Sequence, residues 1–450
     1  MMNRRSVIRS LAATGALGLT AGCTADPTHG PAFATERRGA VGHLRGPYNL
    51  ALYHRHNRAY RIGAGMHFFH SKQHDLLALT PLAEHAAVDA RFDREAAAWL
   101  RDPPRTEPTM PYYSSWTDRT MHRLFRTIDW THMHHEQTYD VLASRDVPWS
   151  EKSAMTDRAV RYYLAEQSAG VPRSPAPLDV TMRRAGIMMK PYFNYFRNFY
   201  ARDQALFYVA HWWHPALYET LMISGNGDRQ EVNVGAVVDL MYRDVMTERP
   251  GRMLLSREIM PRYARMSPES ANIFDNLHML HGIAYSILAY EGWTTAQKRA
   301  EMYRVIDAMG YRPGDERLAR KFRTPYPEVD PRRYPAWMRA SEGEMGRIMT
   351  EMMEDMMPMM MPDASAAQRA AAMRALMANG RLGFEAGEAR GSFADALRRI
   401  APGMRSMPGA AEPGETPTMM VEAMLEGWSR RYGRLPDLPG IDMSAEPARG

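Results

Sequence analysis

The pattern His-x-x-His occurs four times in this chain, at His67/His70, His132/His135, His211/His214 and His278/His281. Sixteen histidines scattered at random over 450 positions give roughly 0.6 such pairs, so four is an excess. The pairs fall on four segments roughly 65 to 80 residues apart. Residues three apart share a helix face, so each pair turns two rings to one side. Four such faces turned inward enclose a polar centre, which is how helical bundles build metal sites. The pattern therefore asks for helices, and for helices that meet.

Helical periods dominate from about residue 50, and alternating strand-like runs are scarce, so the expected fold class is all-α, a multi-helix bundle. The spacing predicts helices over 75–100, 114–144 with Ser115 as N-cap, 150–169, a short stretch near 178–189, 191–223 interrupted at Pro215, 267–292 and 294–310. That makes a plan of about eight to ten helices. "SGNGDR", from Ser224, reads as a turn. Four regions follow: 1–22 an export signal, 23–40 a lipidated tether, 41–325 the helical His-rich domain, and 326–450 a Pro/Met-rich, partly disordered region.

Carboxylates accompany two of the pairs. Asp129 precedes His132 by three and Asp275 precedes His278 by three, while Glu136 and His122 read onto the His132 face. The candidate metal ligands are therefore His67, His70, His122, Asp129, His132, His135, Glu136, His211, His214, Asp275, His278 and His281. His54, His56 and His134 read as surface residues or outer partners. The residue before a proline avoids the α region, so Pro215 turns His214 away from His211 in this reading. Asp-x-x-His is similar to the Glu-x-x-His pair of ferritin-like di-metal carboxylate bundles. That partial resemblance implies one or two metals bridged by carboxylates, with Glu219 and Glu84 the nearest bridging glutamates. Nitrogen and carboxylate donors suit iron or copper first, with manganese and zinc also compatible. A non-covalent haem b between two facing histidines is a further reading. The bland alternative is a hydrogen-bonded aromatic core, as in "HWWHPALYE".

Beyond a proline-rich linker, "GEMGRIMTEMMEDMMPMMMP" carries Met349, Met353, Met356, Met357 and Met360 at three-and-four spacing. Thioethers are soft and hold copper(I). In a chain with 37 methionines they also serve as general apolar filler or absorb oxidation.

Arg4 and Arg5 open a short apolar run that ends at Leu19-Thr20-Ala21-Gly22 before Cys23. This resembles a twin-arginine export signal with a lipobox. The resemblance implies passage through the twin-arginine translocase, cleavage before Cys23, lipid on its sulfur as the membrane attachment, and an extracytoplasmic site in the cell envelope. Cys23 is the only cysteine, so intrachain disulfides, thiolate zinc sites, iron–sulfur clusters and covalent c-type haem are excluded. The formal charge of +6 falls by three when Arg4, Arg5 and Arg9 leave, which is no footprint for nucleic acid. The expectation is an envelope-anchored metalloprotein with a His/Asp centre and oxidoreductase-type chemistry. A metal-sequestering lipoprotein and a metal-free structural envelope protein are the alternatives.

Overall fold

The computed structural model describes residues 50–103, 105, 114–165, 200–250, 255–290, 293–309, 328, 330–334, 354 and 363–371. The signal, Cys23, the helix expected near 178–189 and Met349, Met353, Met356, Met357 and Met360 lie outside them. Among the described residues the chain is helical throughout, with no strand.

Two short pieces and two long ones open the fold: α1 (Ala51–Arg55), α2 (Asn57–Leu79), α3 (His85–Arg101) and α4 (Ser115–Thr120). Then come α5 (His122–Ala143), α6 (Trp149–Ala165), α7 (Ala201–Ser224) and α8 (Arg229–Leu240), the last running into a π turn at Met241–Val245. The chain continues with α9 (Ser256–Ile259), α10 (Pro261–Met266), α11 (Pro268–Ala289) and α12 (Thr295–Ala308). The helix expected over 114–144 is thus two, broken at Met121. Met121 sits at φ −139°, ψ 47°, outside the α region. The turn after Ser224 forms with Gly225 at φ 65°, where a side chain would be strained.

Four helices of 22 to 24 residues, α2, α5, α7 and α11, carry the four histidine pairs. Neighbours round the bundle run α2–α7–α5–α11 and back to α2, so α2 faces α5 and α7 faces α11 across the centre. The remaining helices wrap this square. α3, α8, α9 and α10 lie on α7, α6 lies on α5, and α12 closes over α5 and α11. α7 and α11 are consequently buried on nearly every side, Trp212, Trp213, Tyr218 and Tyr285 among them. A helix apolar all round belongs in the middle of a protein.

α7 also runs straight through Pro215, where the sequence led one to expect an interruption. A mid-helix proline removes the hydrogen bond to the carbonyl four residues back, here that of His211. Packing on both sides of Pro215, through Trp212, Trp213, Ala216 and Leu217, keeps the helix continuous.

Buried and half-buried carboxylates hold the bundle's joints. Asp75 accepts the backbone N–H groups of Trp116 and Thr117 at the start of α4, and Asp89 those of Arg202 and Asp203 at the start of α7. Asp140 takes Leu52 N–H at α1. Each satisfies donors that a helix N-terminus leaves orphaned, and each sits at its positive end. Lysines do the reverse at C-termini. Lys152 donates to the carbonyls of Val141, Leu142 and Ser144 at 2.7, 2.9 and 2.8 Å, and Lys298 to that of Leu288.

Candidate metal centre

Every histidine of the four pairs is turned into the bundle, and none is more than 5% exposed. The closest contacts span the diagonals. His67 of α2 stacks on His132 of α5 with ring centroids 3.6 Å apart, and His211 of α7 on His278 of α11 at 3.8 Å. The sides of the square are filled too. His214 lies 5.1 Å from His67 and 5.0 Å from His135, and His70 lies 5.1 Å from His281.

His74, one helical turn beyond His70, completes the set. Its Nε2 lies 2.9 Å from Nε2 of His281. The sequence signal for it was the four-residue spacing from His70, which keeps both rings on one face. Pro215 does not expel His214, whose ring reaches both α2 and α5.

Burial keeps these rings neutral. Loss of hydration lowers the pKa of His67 to about 4 and of His74 and His278 to about 3. It drives His70, His132, His135, His211, His214 and His281 well below the ordinary value, with the neighbouring imidazoles adding to the effect. A neutral imidazole carries one nitrogen lone pair, the form that ligates metal.

At His135 one set of proton positions satisfies these partners together. Thr138 donates its hydroxyl hydrogen to the His134 carbonyl at 2.8 Å, so its oxygen accepts from Tyr218 O–H at 2.5 Å. The Tyr218 oxygen is then the acceptor for His135 Nδ1–H at 3.1 Å, and the lone pair resides on Nε2. His278 has an outer partner of the same kind, Ser256 Oγ at 3.3 Å from its Nδ1.

The carboxylates expected at the centre are elsewhere. Asp275 accepts Ser256 N–H at 2.6 Å, capping α9, and pairs with the buried guanidinium of Arg257 at 2.8 Å. Glu219 binds Arg262 at 2.7 Å and accepts backbone N–H groups at the start of α10. Glu84 is exposed on a 3-10 turn. Asp129 is exposed and Glu136 partly so, although both sit within electrostatic reach of His67. His122 is exposed and pairs with Asp118 at 2.8 Å.

Helix geometry explains the last group. A step of three residues falls about 60° short of a full turn, so two successive steps from His135 through His132 to Asp129 rotate about 120° off the inward face. His134 behaves oppositely to expectation. It is fully buried, bonds Ser270 Oγ at 2.8 Å and packs on Tyr163 and Phe274, away from the other rings. His56 is likewise buried, against Gln230, whereas His54 is exposed.

Comparison with protein-family models, curated proteins and solved structures finds no match for this chain. The site must therefore be read from its own chemistry. As the rings stand, no three histidine, cysteine, aspartate or glutamate side chains among the described residues converge on a point tightly enough to hold an ion. The imidazoles stack or meet edge to face instead. The donor set fits a metal nonetheless. Nε2 of His70 and His214 and Nδ1 of His132 are buried with no hydrogen-bond partner. Each such orphan costs about 1–3 kcal/mol, which coordination would offset. The 2.9 Å between His74 and His281 Nε2 is close to what two ligands of one ion subtend at a right angle with bonds of about 2.0–2.1 Å. Among the described residues no helix is long and apolar enough to cross a membrane.

Proposed function

We propose that this chain is an extracytoplasmic, lipid-tethered metalloprotein whose bundle core ligates metal through imidazole alone, and that the metal is copper serving oxidoreductase-type chemistry. The observation carrying this reading is the set of nine buried, neutral histidines across four helices, each in ring contact with at least one other. Imidazole-only donors suit copper, zinc or nickel, whereas non-haem iron ordinarily recruits a carboxylate, and the nearby carboxylates are occupied or outside. Neutral ligands leave the ion's charge uncompensated in a dry core, which favours the singly charged copper(I) state or a small bridging anion. Direct stacking of His67 on His132 at 3.6 Å weighs against a haem slotted between them.

When bound, copper supplies one-electron exchange. The chain's own contribution is orientation and exclusion. Tyr218 holds His135 with Nε2 inward, Ser256 engages His278 Nδ1, and the sealed core keeps out bulk water and bulky molecules. A cleft lined by Arg58, Arg101, Tyr242 and Arg249 includes none of these rings. A centre so enclosed exchanges electrons or very small molecules.

Elemental analysis and a visible spectrum of protein purified from its own envelope test the proposal. Copper is expected, with ligand-field absorption appearing once it is oxidised to copper(II), and absence of any metal sinks it. Sequestration is the second reading, favoured by the methionines between Met345 and Met361. Deleting residues 340–365 should then abolish copper uptake, whereas an oxidoreductase keeps its core metal. Replacing Cys23 by Ser tests the tether, since the protein should leave the membrane fraction.

A further inference from the structure

The four histidine pairs are not used alike. Both rings of the α5 pair, His132 and His135, meet one ring of α2, His67, and one of α7, His214. Around the α11 pair the same composition recurs. His278 meets His211 of α7, and His281 meets His70 of α2, with His74 added from the next turn. So α5 and α11 each devote a pair to one group, while α2 and α7 each split theirs between the two. Within α2 the order is His67 then His70, and within α7 it is His211 then His214. The two helices therefore run in opposite directions past the two groups.

Resting on the metal-binding reading above, we propose that the centre is dinuclear. One ion is held by His67, His132, His135 and His214. The other is held by His70, His211, His278 and His281, with His74 as a fifth donor or a replacement. On α2 and α7 the donors of the two groups stand only three residues apart, a rise of about 4.5 Å, which keeps the two ions close. Two metals that act together lie about 3.5–4 Å apart. Each group also has one ring with an outer hydroxyl partner, Tyr218 at His135 and Ser256 at His278, so each has its own orienting contact. A single ion cannot use nine donors, and an arrangement for one ion has no need to repeat a pair-plus-two composition.

Titration of the full-length apoprotein with copper(I), under a competing chelator, reads the stoichiometry directly. Two tightly held equivalents per chain are expected. After oxidation, two copper(II) ions this close should couple, giving far less isolated-ion resonance signal than the copper content implies. Replacing His132 and His135 by Gln should leave one equivalent with an uncoupled signal, and replacing His278 and His281 should do the same. Circular dichroism confirms that each variant is folded; if a variant is not, the wild-type stoichiometry and coupling decide. One equivalent in the wild type, or two uncoupled ones, overturns the dinuclear proposal and leaves the metal-binding reading standing. No binding overturns both.

Discussion

Tyr218 is a single hydroxyl whose replacement separates a packing role from an orienting one. Its ring stacks between Tyr139 at 4.1 Å and Tyr263 at 4.4 Å, and phenylalanine would keep that packing. What phenylalanine removes is the acceptor for His135 Nδ1–H. Loss of such an outer partner typically lowers metal affinity about 10- to 100-fold. Tyr218→Phe should show that loss in a chelator competition, with a melting temperature close to wild type. An unchanged affinity would show that the phenol only packs.

The same residues make the protein sensitive to acid. Their pKa values are depressed on folding, so the unfolded chain binds more protons whenever the pH lies below about 6.5, and stability falls as pH falls. Folded values of about 3 to 4 at His67, His74 and His278 extend that loss far below the usual histidine range. At pH 5.5 each neutral buried ring forfeits about 1 kcal/mol relative to pH 7, and nine together forfeit about 10 kcal/mol, comparable with the whole stability of a domain. Burial raises Asp89 to about 6 and Glu219 to about 7, and it raises Asp140 and Asp203 as well. Those carboxyls pull the other way, their contribution being lost as pH rises, but they are fewer. Thermal melts of the apoprotein at pH 7.5, 6.5 and 5.5 should therefore drop steeply. A flat profile would refute burial of neutral rings.

At the level of the element, carboxylates and imidazoles divide the work. Asp-x-x-His occurs on both α5 and α11, yet Asp129 ends at the surface and Asp275 ends against Arg257 and α9. Which way a residue off the inward face points depends on what covers that side of the helix. α11 is enclosed by α9, α10 and α12, so its Asp275 meets a helix N-terminus and a guanidinium. Removing one partner of such a buried pair costs about 3–5 kcal/mol. Asp275→Ala should thus lose stability of that order in denaturant unfolding while the surviving folded fraction retains its metal. Loss of metal without loss of stability would make Asp275 a ligand instead. Lys152→Met, which strips three carbonyls at the end of α5 of their shared donor, should also destabilise, by about 2–3 kcal/mol in the same assay.

Over the whole molecule, a metal bound in the core would be linked to the fold. A ligand that binds only the native state stabilises it by about 3 kcal/mol at a hundred times its dissociation constant. Copper at that excess should raise the melting temperature by several degrees and protect against acid, since metal competes with protons for the same nitrogens. A strong chelator should reverse both effects.

Much of this was legible in the residues. Helical spacing of paired histidines on four distant segments already required four inward faces, because a three-residue step keeps two side chains on one side of a helix whatever surrounds it. Composition likewise ruled out thiolate and disulfide chemistry from one cysteine. Local sequence could not say which ring meets which. Pairing His67 with His132, splitting the α2 and α7 pairs between two groups, and turning His134 aside to the buried Ser270 all follow from the directions and rotations of helices far apart in the chain. The fate of each carboxylate was decided there too. A helix end with orphaned N–H groups, or a buried arginine, attracts whichever acid lies nearest, and only the packed arrangement determines which that is.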